Sequence, residues 1–378
     1  MDKKLSQING SGYMVQLDSL RALAVFGVMV EHYVPGSIYG SFLSSWKSAF
    51  PLEWGSGVTL FFVLSGFLIA GILLRCRDII SSTKQSIGFT LQRFYIRRFL
   101  RIFPIYYLAL AFAAIIFKKT RSDFLWHLTY TTNIMVFVHN SWDVYVTHFW
   151  SLAMEEQFYL IWPLVILLLP QKHLLKSIFI TITLAPLFRF TGYYGLGLST
   201  IQIGVFPLGS LDALGLGALL AFYTHNHDQF NHSKQNLCKF GLWVCLPLLI
   251  SFTIISFAFR GTVLLNILIK PTILAIFFIW LVSSAAKGFG GVLGKFLELK
   301  PLVFIGKISY GIYIYHYFMN PIYDMISWHL NLPDSIPLLL VIAVKVAASF
   351  AIAILSWLLI EKPINNLKKY FSYKKKVI

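Results

Sequence analysis

Charged residues are scarce in this sequence. Asp, Glu, Lys and Arg make up 12% of the 378 residues, whereas hydrophobic residues make up 57%. A water-soluble globular domain carries roughly 25% charged residues, so the composition excludes that class of protein. It predicts an integral membrane protein.

Cysteine is rare as well. Cys76, Cys238 and Cys245 lack the spacing of a disulfide framework or a metal site, and no metal site is predicted. The sequence also lacks an internal repeat. Its N-terminal segment has no apolar core followed by a small-residue cleavage site. We therefore expect the first hydrophobic helix to remain in the protein.

Long apolar stretches are numerous. A helix needs about 20 apolar residues to satisfy its backbone polar groups across the hydrocarbon core. The predicted fold class is an all-α bundle of ten transmembrane helices, at 18–36, 56–75, 99–117, 149–169, 174–190, 201–222, 238–259, 264–285, 302–325 and 337–360. A shorter apolar stretch, 124–138, is flanked by polar residues and is predicted to be interfacial or re-entrant.

The positive charges support this topology. If the N-terminus is cytoplasmic, the outer segments hold only five basic residues, Lys47, Lys118, Lys119, Arg121 and Arg260, in agreement with the positive-inside rule. An eleventh span would put the Lys-rich tail, 368–378, outside, so both termini are predicted to be cytoplasmic. The net charge of +17 reflects this topology and attraction to anionic membrane lipids; it does not indicate nucleic acid.

Arg21 and His32 lie within the first predicted span, where a bilayer disfavours ionisable groups. They are eleven residues apart, which at about 100° per residue returns to the same helix face. They are interpreted either as a functional pair or as structural residues. In the second case Arg21 reaches the inner surface and pairs with Asp18, while His32 binds a neighbouring carbonyl.

Glu155 and His316 are predicted to lie at the depth of His32. At ~1.5 Å per residue, all three fall ~21 Å from the inner edge of the hydrocarbon core. We interpret them as a buried acid/base cluster in which Glu155 holds an imidazole in the reactive tautomer. A structural hydrogen-bond network between helices is the alternative.

A basic stripe lies at the inner side, in RFYIRRFLRIFP. Arg93, Arg97 and Arg101 are spaced i, i+4 and i+8, and Arg98 adds an adjacent charge. Guanidinium groups suit the phosphates of a coenzyme, so these four residues are candidates for donor binding. The positive-inside signal alone is the alternative interpretation.

Small residues mark the second span. Gly55, Gly57, Ser65 and Gly66 are predicted to permit close helix contacts or the approach of a ligand to the backbone. Ser65 is not assigned as a nucleophile, because no base stands at a defined spacing from it.

Asp212 is an acidic residue within the sixth span. A carboxylate at that depth must be neutral or find a partner, and Lys345 and Arg189 are the predicted candidates. A structural and a functional role are both open.

Six ordered blocks resemble the acyltransferase 3 family of membrane acyltransferases. The blocks are LDSLRALAVFGVMVEHY, GVTLFFVLSGFLIAG, RRFLRIFPIYYLAL, HFWSLAMEEQFYLIWPL, GKISYGIYIYHYF and EKPINNL. The resemblance covers about residues 16–367. It implies a ten-helix bundle that uses a CoA-linked acyl donor, such as acetyl-CoA, as co-substrate without a permanently bound cofactor.

The resemblance also implies roles for single residues. Arg21 and His32 match the essential pair of the family. The donor-binding block of the family matches Arg97, Arg98 and Arg101. Its WSL and E-x-Q-F-Y block matches Trp150, Ser151, Glu155 and Gln157, and its late Tyr-rich block matches Tyr313 and His316. Thr59 and Lys362 stand where relatives often have acids. Ser210 and Leu211 replace an Arg before Asp212, which puts the role of Asp212 in doubt.

The predicted protein is one membrane acyltransferase domain, 1–378, with a basic cytoplasmic tail and no appended soluble domain. Arg21, His32 and Glu155 are its predicted catalytic residues. We expect it to transfer acetyl from cytoplasmic acetyl-CoA to a glycan hydroxyl (O-antigen, capsule or exopolysaccharide) at the inner membrane of a bacterium. A transporter or flippase with a His/Glu proton relay is the main alternative, and a non-catalytic scaffold is another. The oligomeric state is open.

Overall fold

The computed structural model describes residues 13–34, 55–142, 145–259, 264–333 and 335–374, which form helices and no strand. The helices are α1 Val15–Tyr33, α2 Ser56–Thr83, α3 Ile87–Ile116, α4 Lys118–Ser122, α5 Phe124–Leu128, α6 Thr132–His139, α7 Phe149–Leu168, α8 Gln171–Phe190, α9 Thr200–Val205, α10 Leu211–His225, α11 His227–Phe240, α12 Leu246–Phe259, α13 Lys270–Lys287, α14 Gly291–Leu297, α15 Lys300–Lys307, α16 Ser309–His316, α17 Met319–His329, α18 Leu338–Ser356 and α19 Lys362–Asn366.

Eight helical segments in the described part of the chain are long and apolar enough to cross a membrane. They are Ser56–Thr83, Ile87–Ile116, Phe149–Leu168, Gln171–Gly195, Pro207–His225, His227–Ile255, Asn266–Lys287 and Leu338–Tyr370, and each overlaps a predicted span. The prediction of an all-α polytopic membrane bundle is confirmed. The N-terminal lysines and the last residues of the tail lie outside the described residues, so the cytoplasmic location of both termini stays a prediction.

The other two predicted spans, the first and the ninth, are not among these eight segments, each for its own physical reason. The first is helical as α1, but it carries Asp18, Arg21 and Glu31, which lower its mean hydropathy. The ninth, 302–325, is not one helix: breaks at Ile308 and Tyr317 divide it into α15, α16 and α17. The total of ten crossings therefore stays a prediction.

The stretch 124–138 forms the short helices α5 and α6. Neither helix, nor α4 before them, has the roughly 20 residues that a crossing requires. The side chain of Gln157 on α7 holds this stretch: its amide donates to the Tyr130 carbonyl at 3.0 Å and exchanges hydrogen bonds with the Asn133 amide at 3.0 and 3.2 Å. Gln157 therefore has a structural contact, and the interfacial or re-entrant placement of the stretch stays a prediction.

Small residues bring α2 into close contact with two helices. A Cβ atom added at Gly66 would lie 2.0 Å from the Leu214 carbonyl oxygen on α10, and one at Gly57 would lie 2.2 Å from the Ala24 carbonyl oxygen on α1. Real side chains do not approach a backbone so closely. The packing role predicted for these glycines is confirmed, and the contacts fix α2 between α1 and α10.

A buried ion pair joins α8 to α10. Arg189 Nη2 lies 2.7 Å from Asp212 Oδ2, and both side chains are 2% exposed. Thr272 donates to the same carboxylate at 2.6 Å, and Arg189 also donates to the Gly209 carbonyl at 2.8 Å. Asp212 therefore pairs with Arg189, one of its two predicted partners. The ammonium group of Lys345 instead donates to the amide oxygen of Asn320 at 3.0 Å.

Candidate active site

Two imidazoles predicted to lie at the same depth are in contact. His32, in the last turn of α1, and His316, the last residue of α16, are separated by 284 positions in the chain. Their side chains nevertheless meet, with Nδ1 of His32 at 2.9 Å from Nε2 of His316. His316 is fully buried, whereas His32 is partly exposed.

The hydrogen bonds of His316 determine the tautomer of His32. Nδ1 of His316 lies 2.6 Å from the Tyr313 carbonyl oxygen, which can only accept, so this nitrogen carries the proton. Nε2 of a neutral His316 is then the acceptor, and His32 donates to it from Nδ1. The lone pair of a neutral His32 is consequently on Nε2, the nitrogen on the other side of the ring.

Hydrogen bonds to their backbone carbonyls hold the two histidines in position. The Tyr33 hydroxyl donates to the His316 carbonyl at 2.7 Å and also contacts the Ser349 hydroxyl at 2.6 Å. The Asn320 amide donates to the His32 carbonyl at 3.3 Å. Elements α1, α16, α17 and α18 thus converge on the imidazole pair, which is the arrangement that keeps a catalytic side chain oriented.

Glu155 contacts a different partner from the one predicted. Its Oε1 accepts a hydrogen bond from the Ser65 hydroxyl at 2.6 Å, and the Tyr159 hydroxyl donates to Ser65 Oγ at 2.8 Å. In the described part of the chain neither imidazole bonds to this carboxylate. The orienting contact that we predicted from Glu155 to His32 is made by His316, because the packing of α2 against α7 directs Glu155 toward Ser65.

Tyr313 connects the imidazole pair to the Glu155 region. Its hydroxyl is hydrogen-bonded to the Ser151 hydroxyl and donates to the His148 carbonyl at 3.0 Å. Its ring centroid lies 5.6 Å from that of His316. Trp150 makes ring contacts instead, edge-on to Phe62 with centroids 6.3 Å apart. Ser151 and Tyr313 therefore belong to the site, whereas Trp150 packs beside it.

A cavity of about 170 Å³ brings six of the thirteen predicted site residues together, whereas the other seven, including His32 and His316, do not line it. Its polar lining comes from five helices and comprises Arg21, Ser65, Arg98, Arg101, Ser151, Glu155, Glu156, Tyr159, Ser309, Tyr310 and Tyr313. Along α2 the lining runs from Val58 to Ile72, a length of roughly 21 Å at 1.5 Å per residue. We call this the inner cavity; it connects the arginine end of the bundle to the region of Tyr313.

The arginine stripe divides into two pairs. Arg97 donates to the carbonyl oxygens of Lys368 at 2.8 Å and Phe371 at 3.3 Å, and the guanidinium of Arg93 lies 5.3 Å from the Phe371 ring centroid. These two residues hold the C-terminal segment. Arg98 and Arg101 line the inner cavity. In the described residues no carboxylate lies within salt-bridge distance of either one, and the Nε of Arg98 is buried without a hydrogen-bond partner.

Arg21 makes the ion pair that the structural interpretation predicted, and its functional role stays a prediction. Its Nη1 lies 2.5 Å from Asp18 Oδ1, as the structural interpretation predicted. The same side chain lines the inner cavity and a second cavity of about 350 Å³. Arg101 and Tyr310 also line both cavities. The two cavities therefore meet at these three residues.

Two polar residues near the site were missed by the sequence reasoning. Ser65 was taken as a packing residue, because the sequence does not reveal that Glu155 is its partner. His148 was not singled out, although it directly precedes FWSL in a block already recognised. The ring centroid of His148 is 5.4 Å from that of His316, and its Nε2 lies 3.0 Å from the Ile314 carbonyl oxygen. Its buried Nδ1 has no hydrogen-bond partner among the described residues.

This fold and site define a polytopic integral membrane protein whose interior holds a histidine pair beside an arginine-lined cavity. The sequence profile of the acyltransferase domain family matches residues 14–359. The chain therefore belongs to this family, and the family resemblance inferred from the sequence is confirmed. No solved structure matches the chain.

Curated relatives are similar over nearly the whole chain. The peptidoglycan O-acetyltransferase OatA of Listeria monocytogenes is 30% identical over 95% of this chain and 57% of its own length. The O-acetyltransferase OatA of Staphylococcus aureus is 26% identical over 96% and 59%. The putative peptidoglycan O-acetyltransferase YrhL of Bacillus subtilis is 26% identical over 94% and 55%. The chain thus spans little more than half the length of these relatives.

Proposed function

We propose that this protein is a membrane O-acyltransferase that moves an acetyl group from cytoplasmic acetyl-CoA to a hydroxyl of a cell-envelope glycan. The observation that carries the proposal is the hydrogen bond between His32 and His316. Because His316 donates to the Tyr313 carbonyl, it leaves His32 with its lone pair on Nε2. That arrangement suits a general base, which needs a fixed tautomer and a fixed ring orientation.

The donor binds from the arginine end. Acetyl-CoA carries several phosphate charges on one end and a long, thin pantetheine arm that ends in the thioester. Arg101 and Arg98 line the inner cavity and have no carboxylate partner among the described residues, so their charge is available to an anionic ligand. The narrow inner cavity accommodates the arm and leads the thioester toward Tyr313 and the imidazole pair.

The reaction is a proton transfer coupled to acyl transfer. His32 Nε2 removes the proton from the acceptor hydroxyl as its oxygen attacks the thioester carbonyl. The C–S bond then breaks, and the CoA sulfur leaves as the thiol with the proton that His32 Nε2 has taken from the acceptor, which returns His32 to its neutral form. His316 stabilises the imidazolium of His32 by keeping the Nδ1 hydrogen bond. Ser151 and Tyr313 supply hydroxyl groups along the wall that the acyl group passes.

The acceptor is a glycan hydroxyl on the outer side of the cytoplasmic membrane of a bacterium. Two of the three relatives above are named for peptidoglycan. Peptidoglycan is therefore the first acceptor to test with the purified protein and labelled acetyl-CoA, with labelled product on the glycan as the supporting result. If the protein neither binds acetyl-CoA nor transfers its acetyl group, the proposal is wrong.

Replacing Arg101 separates donor binding from chemistry. Arg101 makes no described hydrogen bond or ion pair, so Arg101→Ala removes a charge without leaving a partner unpaired. We expect the KM for acetyl-CoA to rise about tenfold, as for loss of a charge-assisted hydrogen bond, with a smaller change in kcat. Steady-state kinetics over a range of donor concentrations measures both constants.

The matched control is Arg75→Ala, because Arg75 is exposed near the C-terminal end of α2 and does not line either cavity. It removes the same charge and should leave KM unchanged. A fall in kcat at constant KM for Arg101→Ala would contradict a donor-binding role.

A further inference from the structure

The second cavity, of about 350 Å³, has no role in the acyl-transfer chemistry above. It adjoins the inner cavity at Arg21, Arg101 and Tyr310, and its other lining residues include Lys307, Trp357 and Lys368. We call it the rim cavity. It has room for a group of its own beside whatever occupies the inner cavity.

The rim cavity is positively charged. Four cations line it, at Arg21, Arg101, Lys307 and Lys368, against two carboxylates, Asp18 and Glu361. Asp18 is already paired with Arg21 at 2.5 Å, and Glu361 accepts from Ser356 at 3.2 Å. The remaining cations have no carboxylate within 4 Å in the described residues. The cavity is therefore suited to an anion with more than one negative charge.

Its cations are held in fixed positions. The main chain of Lys368 is fastened by Arg97, which donates to its carbonyl at 2.8 Å, and its ammonium is hydrogen-bonded to the side-chain oxygen of Asn365. The ammonium of Lys307 lies 5.2 Å from the ring centroid of Tyr13. Trp357 adds a large aromatic wall. Fixed cations beside an aromatic surface are the features that recognise a phosphorylated nucleoside.

The residues that line the two cavities follow one another in the same order as the chemical groups of an extended acyl-CoA molecule. If the thioester and pantetheine arm occupy the inner cavity, the diphosphate next along the ligand falls at the shared wall, beside Arg21 and Arg101. The adenosine and its 3′-phosphate must then lie beyond that wall. The residues that line the rim cavity alone, Lys307, Lys368 and Trp357, are found there.

We propose that the rim cavity binds the adenosine 3′-phosphate end of the acyl-CoA donor, with Lys307 and Lys368 on the 3′-phosphate and Trp357 against the adenine. This proposal rests on the proposed function, since it assumes a CoA donor. It assigns residues of three separate segments, on α15, after α18 and after α19, to the recognition of an adenosine 3′-phosphate group that takes no part in the reaction.

Binding of coenzyme A and dephospho-coenzyme A to the full chain tests the proposal, because these ligands differ only in the 3′-phosphate. Isothermal titration in detergent should give about tenfold tighter binding of coenzyme A, the size expected for charge-assisted hydrogen bonds to one phosphate. In the Lys307→Gln/Lys368→Gln double variant this ratio should fall close to one, while the Kd for dephospho-coenzyme A stays near that of the wild type.

Retained binding of dephospho-coenzyme A would show that the double variant is folded. The Lys368→Arg variant should keep the preference for coenzyme A over dephospho-coenzyme A, because it keeps the positive charge. Lys362→Gln is the matched control: Lys362 is exposed on α19 and lines neither cavity, so its loss should leave the ratio unchanged. A double variant with the wild-type ratio, or a wild type without a preference, overturns this assignment while leaving acetyl transfer intact. A wild type that binds neither ligand overturns the proposed function as well.

Discussion

His32→Ala is expected to lower the rate of acetyl transfer by about 100- to 10,000-fold, the contribution of a positioned general base. In the proposed reaction the Nε2 lone pair of His32 removes the acceptor proton, whereas the fully buried His316 acts only through its Nε2 contact with His32 Nδ1 at 2.9 Å. Transfer of labelled acetyl from acetyl-CoA to peptidoglycan by the purified variant measures the loss.

Two comparisons test whether the loss of activity comes from the chemical role of His32. The His32→Ala variant should still bind coenzyme A with a Kd near that of the wild type, because the donor phosphates bind at the arginine end. His329→Ala changes an exposed histidine whose Nδ1 contacts the Met325 carbonyl within its own helix, and it should keep full activity. An active, folded His32→Ala variant would exclude His32 as the base.

Asp212→Ala is expected to lower the free energy of unfolding by about 3–5 kcal/mol, the cost of breaking a buried ion pair and leaving one charge unpaired. Arg189 is 2% exposed and would lose its carboxylate partner while keeping only the Gly209 carbonyl and the Thr272 hydroxyl. The melting temperature of the purified protein in detergent measures the change.

A double variant distinguishes the ion pair from the individual residues. Arg189→Met/Asp212→Leu removes both charges and should recover much of the lost stability, because neither charge is then buried alone. Asp324→Ala, at an exposed position on α17, should leave the melting temperature unchanged. If Asp212→Ala kept the wild-type melting temperature and lost only activity, Asp212 would have a functional role instead of a structural one.

The sequence predicted those contacts that depend on local spacing or on the energy of burying a charge. Asp18 and Arg21 are three residues apart on one helix, so their pairing follows from helix geometry. Asp212 needed a cation because an unpaired carboxylate within the membrane is disfavoured, and Arg189 was one of two available. The helices themselves follow from long apolar stretches, which is why eight of the predicted spans have a counterpart in the structure.

Other contacts depend on how distant segments pack, and these could not be predicted. The partner of Glu155 is Ser65, an uncharged residue whose small side chain gives no signal in a hydrophobic helix. The division of the arginine stripe follows from the return of the C-terminal segment to Arg97, and no local pattern in α3 contains that information. The breaks in the ninth span, at Ile308 and Tyr317, were not predicted because the stretch is mostly apolar, although it contains Lys307, His316 and Asp324.

The junction of the two cavities, at Arg21, Arg101 and Tyr310, also bears on the permeability of the membrane. An enzyme that passes an acyl group through a bilayer must not conduct protons or metal ions down their gradients. The guanidinium groups of Arg21 and Arg101 at this junction would repel hydrated cations, as arginines do in selective pores, while they would attract the proposed anionic donor. If the proposed donor site is correct, the arginines that hold the donor would thus also protect the ion gradients across the membrane.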